Sequence, residues 1–159
     1  MTKAILLVLL TLVTSACTSS NLYEIFRTAH EACYGYSYGT GPVEVDYEKA
    51  HQFCRESHME GNNSGTTLYA ELFFLGHGVE RDLSKAASLY LDAAVRGHPH
   101  AQFMVAAIYL KSPTSTAQQR QLGRVYLTMA AMRGHEQARA LLHELFESNP
   151  DQSELDTPS

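Results

Sequence analysis

The stretch that decides the fold runs from Gly76 to His98 and has the sequence GHGVERDLSKAASLYLDAAVRGH. Its opening glycines predict a tight turn, and the carboxylate of Asp82 can accept the free amide protons of a helix's first turn. Apolar side chains then recur at helical spacing, namely Ala86, Leu89, Tyr90, Ala93 and Ala94. Gly97 ends the helix, because glycine adopts the left-handed conformation at low cost. The stretch therefore predicts a turn, an amphipathic helix and a stop.

The same pattern recurs along the chain at a nearly constant distance. Residues 132–135 (MRGH) repeat residues 95–98 (VRGH) after 37 positions, and residues 39–50 carry a related turn, acidic cap and helix start. Similarity at 36–37 residues, with two amphipathic helices in each unit, is the signature of a helical solenoid. We expect a first helix from Leu22 to Tyr38 and a last one from about Glu136 to Ser148.

The motif content resembles the Sel1-like repeat, a relative of the tetratricopeptide repeat. The middle unit carries the resemblance through Gly76, Gly78, Val79, Asp82, Lys85, Ala86, Leu89, Tyr90, Ala93, Ala94, Gly97 and His98. The first unit matches at Tyr36, Gly39, Gly41, Asp46, Lys49 and Ala50, and the third at Tyr109, Ala130, Ala131, Gly134 and His135. The resemblance implies an all-α fold, a short right-handed α-solenoid of about three Sel1-like helical hairpins plus a C-terminal capping helix. The expected repeat domain spans 22–148, with units at 22–62, 63–98 and 99–135 and a cap at 136–148.

Composition narrows the function. The 159 residues suit one domain, with a net charge of −5 and no cluster of Lys and Arg, so nucleic-acid binding is disfavoured. No nucleophile elbow, zinc-protease motif, phosphate loop or Cys-x-x-Cys pair occurs in the sequence. We therefore expect a protein that is not an enzyme, requires no cofactor or metal, and binds partners instead.

The two ends of the chain differ from the repeats. Residues 1–16 combine Lys3, a ten-residue apolar run and small residues, which is typical of an export signal and too short to span a membrane. Residues 13–17 (VTSAC) resemble the bacterial lipobox, which implies lipidation of Cys17 and a polar tether at 17–21. Thr18 is not the Asp that retains such lipoproteins at the inner membrane, so an outer-membrane anchor facing the periplasm is expected. The alternative is cleavage after Ala16 with a free thiol. Residues 149–159 are acidic and predicted to be disordered.

Cys33 and Cys54 are the other two cysteines. In the repeats that the chain resembles, their positions face each other across one hairpin, which implies a disulfide in an oxidising compartment. Two buried free thiols are one alternative. A zinc site is another, since His51, Cys54 and His58 share a helix face and Cys33 could be a fourth ligand. Their spacing is too loose for a compact tetrahedron, so the bridge is favoured.

The resemblance also implies that the first helix of each hairpin lines a concave face. The expected binding residues are the outward positions of these helices: Arg27, His30, Tyr34, Thr67, Glu71, Phe74, His100, Phe103 and Leu110. Tyr, Phe and Arg are the types that anchor interfaces. The alternative for Phe74, Phe103 and Leu110 is that they pack between repeats.

These features favour a lipid-anchored periplasmic adaptor that holds a protein partner within an envelope complex. Two other hypotheses remain open from the sequence. One is an exported enzyme or ligand-binding protein, with a cell-wall ligand or the His/Cys metal site. The other is a pilot that delivers a larger protein to the outer membrane.

Overall fold

The computed structural model describes residues 26–147, which form seven α-helices and no β-strand. In chain order the helices are α1 (Ala29–Tyr38), α2 (Tyr47–Met59), α3 (Asn63–Leu75), α4 (Leu83–Val95), α5 (Pro99–Lys111), α6 (Ala117–Met132) and α7 (Glu136–Glu147). They pair as the hairpins α1–α2, α3–α4 and α5–α6, and each hairpin packs against the first helix of the next. The prediction of an all-α solenoid with a final capping helix, α7, is confirmed.

Local capping explains where most helices begin. The side chains of Asp46 and Asp82 accept hydrogen bonds from the amides of Lys49 and Lys85, at 3.0 and 2.9 Å, as their positions predict. The long helix α6 begins with a capping box, in which Thr116 and the residue three positions later exchange backbone and side-chain hydrogen bonds. These contacts satisfy amide groups that have no partner within their own helix.

Histidine caps α5 and α7. The Nδ1 atom of His98 accepts from the amide of Ala101, and that of His135 accepts from the amide of Ala138, each at 3.3 Å. An Nδ1 atom that accepts a hydrogen bond carries no proton, so both imidazoles are neutral in this arrangement. The expectation that these histidines cap helix ends is confirmed.

The first helix begins later than the apolar spacing predicts. Residues 26–28 are not helical, and the hydroxyl of Thr28 accepts from the amide of Glu31 at 3.1 Å. The Glu31 carboxylate in turn accepts from the amide of Arg27 at 2.8 Å. A threonine followed by a glutamate three residues later is a helix-start signal, and it outweighs the periodicity of the preceding residues. Residues 22–25 lie outside the described part of the chain.

Small side chains let the helices approach closely. Alanines at the hairpin interfaces are fully buried, among them Ala50, Ala70, Ala86, Ala93, Ala101, Ala106 and Ala130. Gly78 joins the first two units: its φ of 68° suits glycine, and a Cβ atom there would lie 2.6 Å from the carbonyl oxygen of Tyr47. The turn of the second unit therefore packs directly onto the start of α2.

A disulfide joins Cys33 of α1 to Cys54 of α2. The Cα atoms are 4.7 Å apart and both side chains are fully buried. Because the two sulfur atoms are bonded to each other, neither thiolate is available to a metal ion in this structure. The zinc alternative therefore lacks half of its ligands.

Several expectations concern residues that the structure does not describe. The signal segment 1–16, Cys17 and the tether 17–21, and the tail 149–159 all lie outside residues 26–147. Within 26–147, none of the helices combines the length and hydrophobicity needed to cross a bilayer.

Candidate binding surface

The first helices of the hairpins form one side of the solenoid. Helix α1 packs against α3 as well as against its own partner α2. Two clusters of polar and aromatic side chains lie on these helices, and together we call them the inner-face row: Tyr34, Tyr38, Glu71, His100 and Phe103. Four of its five members were expected from the sequence.

The first half of the row is centred on Glu71. The rings of Tyr34 and Tyr38, one helical turn apart on α1, have centroids 4.9 Å from each other. The Tyr38 hydroxyl donates to Glu71 Oε2 at 2.7 Å, which ties α1 to α3. Burial and then this hydrogen bond to a carboxylate raise the pKa of Tyr38, so the phenol stays protonated and remains a donor.

The second half of the row lies on α5 and extends to the start of α7. The ring centroids of His100 and Phe103 are 6.3 Å apart, and those of Phe103 and His135 are 4.7 Å apart. His100 Nδ1 lies 3.1 Å from His135 Nε2. Since His135 Nδ1 accepts a backbone hydrogen bond, its Nε2 carries the proton and donates it to His100. The row therefore ends in a hydrogen-bonded pair of neutral imidazoles.

Burial controls the titration of these histidines. It lowers the pKa of His98, His100 and His135, because a charged imidazolium loses hydration inside the protein. The negative charge of Glu71 opposes this effect on the pKa of His100. At neutral pH the histidine end of the row is uncharged, and Glu71 contributes its negative charge.

Tyr90 of α4 is buried inside the second hairpin, next to α3. Its side chain is fully buried, and within the described residues its hydroxyl has no hydrogen-bond partner. The Phe74 ring meets it edge-on at 6.3 Å between centroids. Burial raises the pKa of Tyr90, with a smaller contribution from Glu71. The Phe74 ring therefore packs inside its own hairpin, rather than between repeats as the alternative interpretation had it.

The remaining expected residues lie apart from the row. Arg27 is exposed and precedes α1, whereas His30 is partly buried. Thr67 is 3% exposed, with its hydroxyl donating to the carbonyl of Asn63 at 2.9 Å, so it is not accessible. Leu110 lies against α6, where a Cβ atom at Gly123 would be 3.2 Å from the Leu110 side chain.

Two residues of this surface, Tyr38 and His135, were not predicted from the sequence. Tyr38 is the fourth residue after Tyr34 on α1, and that spacing alone places both on one helix face. His135 was interpreted only as a cap, although the single residue reaches both Ala138 and His100. A cap that uses one ring nitrogen leaves the other free, and this is the signal that could have found it.

Charge is distributed unevenly along the solenoid. Residues 26–98 contain six Lys or Arg and ten Asp or Glu, a net charge of −4, whereas residues 99–147 contain five and three, a net charge of +2. The Glu71 end of the inner-face row therefore lies in the acidic half. Among the described residues, no group of three or more His, Cys, Asp or Glu is arranged to hold a metal ion.

Helical hairpins stacked in series, with an inner face of aromatic and polar side chains, define the class of α-solenoid binding scaffolds. The profile of the Sel1 repeat matches residues 27–62, 65–98 and 99–135, and the chain belongs to the Sel1 repeat family. Proteins built from this repeat typically mediate protein–protein interactions.

Solved structures share the fold. A Sel1 repeat protein from Oxalobacter formigenes is 28% identical in sequence and superposes with a TM-score of 0.62. The match covers 73% of this chain and 86% of the Oxalobacter protein. A protective antigen of uropathogenic Escherichia coli strains, which displays an SLR fold, is 23% identical over 84% of this chain, with a TM-score of 0.67. The present chain spans only 27% of that antigen's length. No curated protein matches the chain.

Proposed function

We propose that this protein is a non-catalytic adaptor, lipid-anchored through Cys17 in the bacterial envelope, that binds a protein partner along its inner-face row. The observation that carries the proposal is the row itself: accessible aromatic rings and one carboxylate, held in place across α1, α3 and α5. Aromatic side chains of this kind supply large contact areas at low entropic cost.

The rigidity of the row supports a binding role. Tyr38 is held by Glu71, and His100 by His135, so neither side chain must be ordered when a partner arrives. Preorganised side chains lose less conformational entropy on association. Within the described residues the row contains no nucleophile activated by a base, which agrees with a binding surface rather than an active site.

Envelope placement is supported by the leader and by the cysteines. The VTSAC sequence at 13–17 resembles a lipobox, and a disulfide such as Cys33–Cys54 persists in oxidising compartments. The proposed partner is a protein of the same compartment, and the proposed membrane is the outer membrane, with the solenoid in the periplasm.

Site-specific photo-crosslinking tests the binding surface. A benzophenone amino acid replaces Tyr34, which is 48% exposed on the inner face, and as a matched control Val125, which is 46% exposed on α6. In intact cells we expect one discrete crosslinked product from position 34 and none of that size from position 125. Equal products from both positions, or none from position 34, would contradict an inner-face adaptor.

Lipidation is tested separately. Cys17→Ser should abolish incorporation of labelled palmitate and move the protein from the membrane fraction to the soluble periplasmic fraction. Cys33→Ala in combination with Cys54→Ala provides the control, since it removes cysteines without touching residue 17. Palmitate incorporation that survives in the Cys17→Ser variant would remove the anchor from the proposal.

A further inference from the structure

A small cavity lies where the first hairpin meets the second, beside the inner-face row. Its volume is about 80 Å³. Its walls include three rings, a carboxylate and two leucines, contributed by both hairpins: Tyr38, Tyr47, His77, Glu71, Leu68 and Leu75. We call it the Glu71 cavity.

The size of the cavity limits what it can hold. Sites for whole small molecules typically enclose about 300–1,000 Å³. The Glu71 cavity is several times smaller, so it fits the end of one extended side chain. Leu68 and Leu75 offer apolar contact to the stem of such a side chain, and Glu71 offers a charge to its tip.

Within the described residues, the Glu71 carboxylate is not paired with a Lys or Arg side chain. Lys49, Arg96 and Arg139 pair with other carboxylates, and within the described residues Glu71 forms no ion pair. Its Oε2 atom accepts the Tyr38 hydroxyl, which leaves Oε1 with free acceptor capacity. Removal of water by a partner would make an unpaired carboxylate costly, so the occupant must be positively charged.

The rings favour the same charge. Tyr47 lines the cavity and stacks with His77 at 4.2 Å between centroids, and the face of a tyrosine ring attracts cations. The protein already uses this contact in both hairpins: the Lys49 ammonium lies 5.1 Å from the Tyr36 centroid, and that of Lys85 lies 4.2 Å from the Phe73 centroid.

We propose that the Glu71 cavity binds the ammonium group of a lysine side chain presented by the partner segment. The inference rests on the proposed function, because the lysine belongs to the protein that the inner face binds. Lysine fits better than arginine. The Tyr38 hydroxyl already occupies one lone pair of Oε2, so the pair of parallel oxygens that a guanidinium prefers is partly engaged, whereas a compact ammonium needs only Oε1.

The test is a titration of the purified full-length chain with Nα-acetyl-lysine methylamide, followed by the NMR amide resonances of Tyr38, Glu71 and His77. We expect saturable shifts of these resonances at about millimolar concentration, as befits one ion pair and one ring contact. The Nε-acetylated analogue, which has the same stem without the charge, should cause none. Equal shifts with the acetylated analogue, or no shifts with either compound, would overturn the proposal.

Variants separate the charge from the shape of the cavity. Glu71→Gln should weaken binding about tenfold, because a charged hydrogen bond is lost. Tyr38→Phe keeps the ring and frees Oε2, so affinity should stay within about twofold of the wild type. Glu60→Gln, an exposed acid at the end of α2, serves as the matched control. Equal affinity of Glu71→Gln and Glu60→Gln would overturn the assignment, even if Tyr38→Phe fails to fold.

A second ligand distinguishes the source of the cation. Butylammonium carries the same ammonium without a peptide backbone, and we expect it to bind more weakly than the lysine amide. Tighter binding of butylammonium would assign the cavity to free alkylamines and overturn the lysine assignment. The titration needs no partner, so a crosslinked partner with an unresponsive cavity removes only this inference. A responsive cavity without a crosslinked partner removes the adaptor instead.

Discussion

The first and second hairpins fill the same interior space by different means. At two equivalent positions, all fully buried, the first hairpin has Cys33 and Cys54, whereas the second has Ala70 and Tyr90. The first hairpin is closed by a covalent bond, whereas the second buries the Tyr90 ring, which the Phe74 ring meets edge-on. Helix α1 is also shorter than α3, ten residues against thirteen. The hairpin with the shorter first helix is therefore stabilised by a disulfide, in the place where the other hairpin is stabilised by buried side-chain packing.

Removing the ring should have the largest effect. Tyr90→Ala leaves a cavity in the middle of the solenoid and should lower the free energy of unfolding by about 3–5 kcal/mol, measured by urea denaturation. The control is Tyr34→Ala on the accessible face of α1, where the loss should stay below about 1 kcal/mol. Similar losses for the two variants would mean that Tyr90 does not fill the second hairpin as the comparison requires.

Removing the disulfide should have the second-largest effect on stability. Cys33→Ala combined with Cys54→Ala should cost about 3 kcal/mol, since the bond closes a 21-residue separation in the unfolded chain. Hydrogen exchange should quicken in α1 and α2 before it quickens in α4. Titration of the unreduced wild type with a thiol reagent provides the check, and two reactive thiols in the unfolded, unreduced chain would refute the bridge.

Helix starts differ in the same way along the chain: aspartate caps α2 and α4, whereas histidine caps α5 and α7. Burial lowers the pKa of His135 in the folded state, so the unfolded chain binds more protons as the pH falls below the ordinary histidine value of about 6.5. Stability is therefore complete above that pH and is lost below it. His135→Asn keeps a cap that cannot titrate. Because the asparagine also gives up the contacts of His135 with His100 and Phe103, we expect a loss of about 1 kcal/mol at pH 7.5 and a shallower further loss at pH 5 in urea denaturation. Identical pH profiles would contradict the assignment.

Removing only the hydroxyl of Tyr90 should have the smallest effect on stability, and it separates the contribution of the ring from that of the hydroxyl. The Tyr90 hydroxyl has no hydrogen-bond partner among the described residues, so Tyr90→Phe removes a buried polar atom without breaking a bond. The variant should be unchanged or up to about 1 kcal/mol more stable by urea denaturation. A loss comparable to that of Tyr90→Ala would show that the hydroxyl, rather than the ring, holds the second hairpin.

Local chemistry explains which parts of the fold the sequence could predict. Asp46, Asp82 and Gly97 act on the backbone within four residues, so their roles follow from their positions alone. Thr28 also acts locally, but the apolar spacing before it pointed to an earlier start. Equivalent small and large positions, such as Ala70 and Tyr90, were recognisable because the repeat fixes which residues face each other.

Residues of the site could be predicted only where their positions depend on a single helix. Tyr34, Glu71, His100 and Phe103 were expected because the Sel1-like resemblance implies that first helices line a concave face, whereas Thr67 is buried by contacts that the repeat pattern does not encode. The Glu71 cavity needed four separate elements to meet: the end of α1, the start of α2, helix α3 and the turn after it. No single stretch of sequence contains that information.

The position of the disulfide also decides how the molecule responds to mechanical force. Tension applied from the amino-terminal side, where the proposed anchor lies, reaches Cys33 and crosses directly to Cys54. The residues between them, roughly 70 Å of extended chain, are bypassed and cannot be drawn out. A tethered molecule that is pulled could therefore lengthen before residue 33 and beyond residue 54, but Cys33 would stay joined to Cys54 unless a reductant opened the bond.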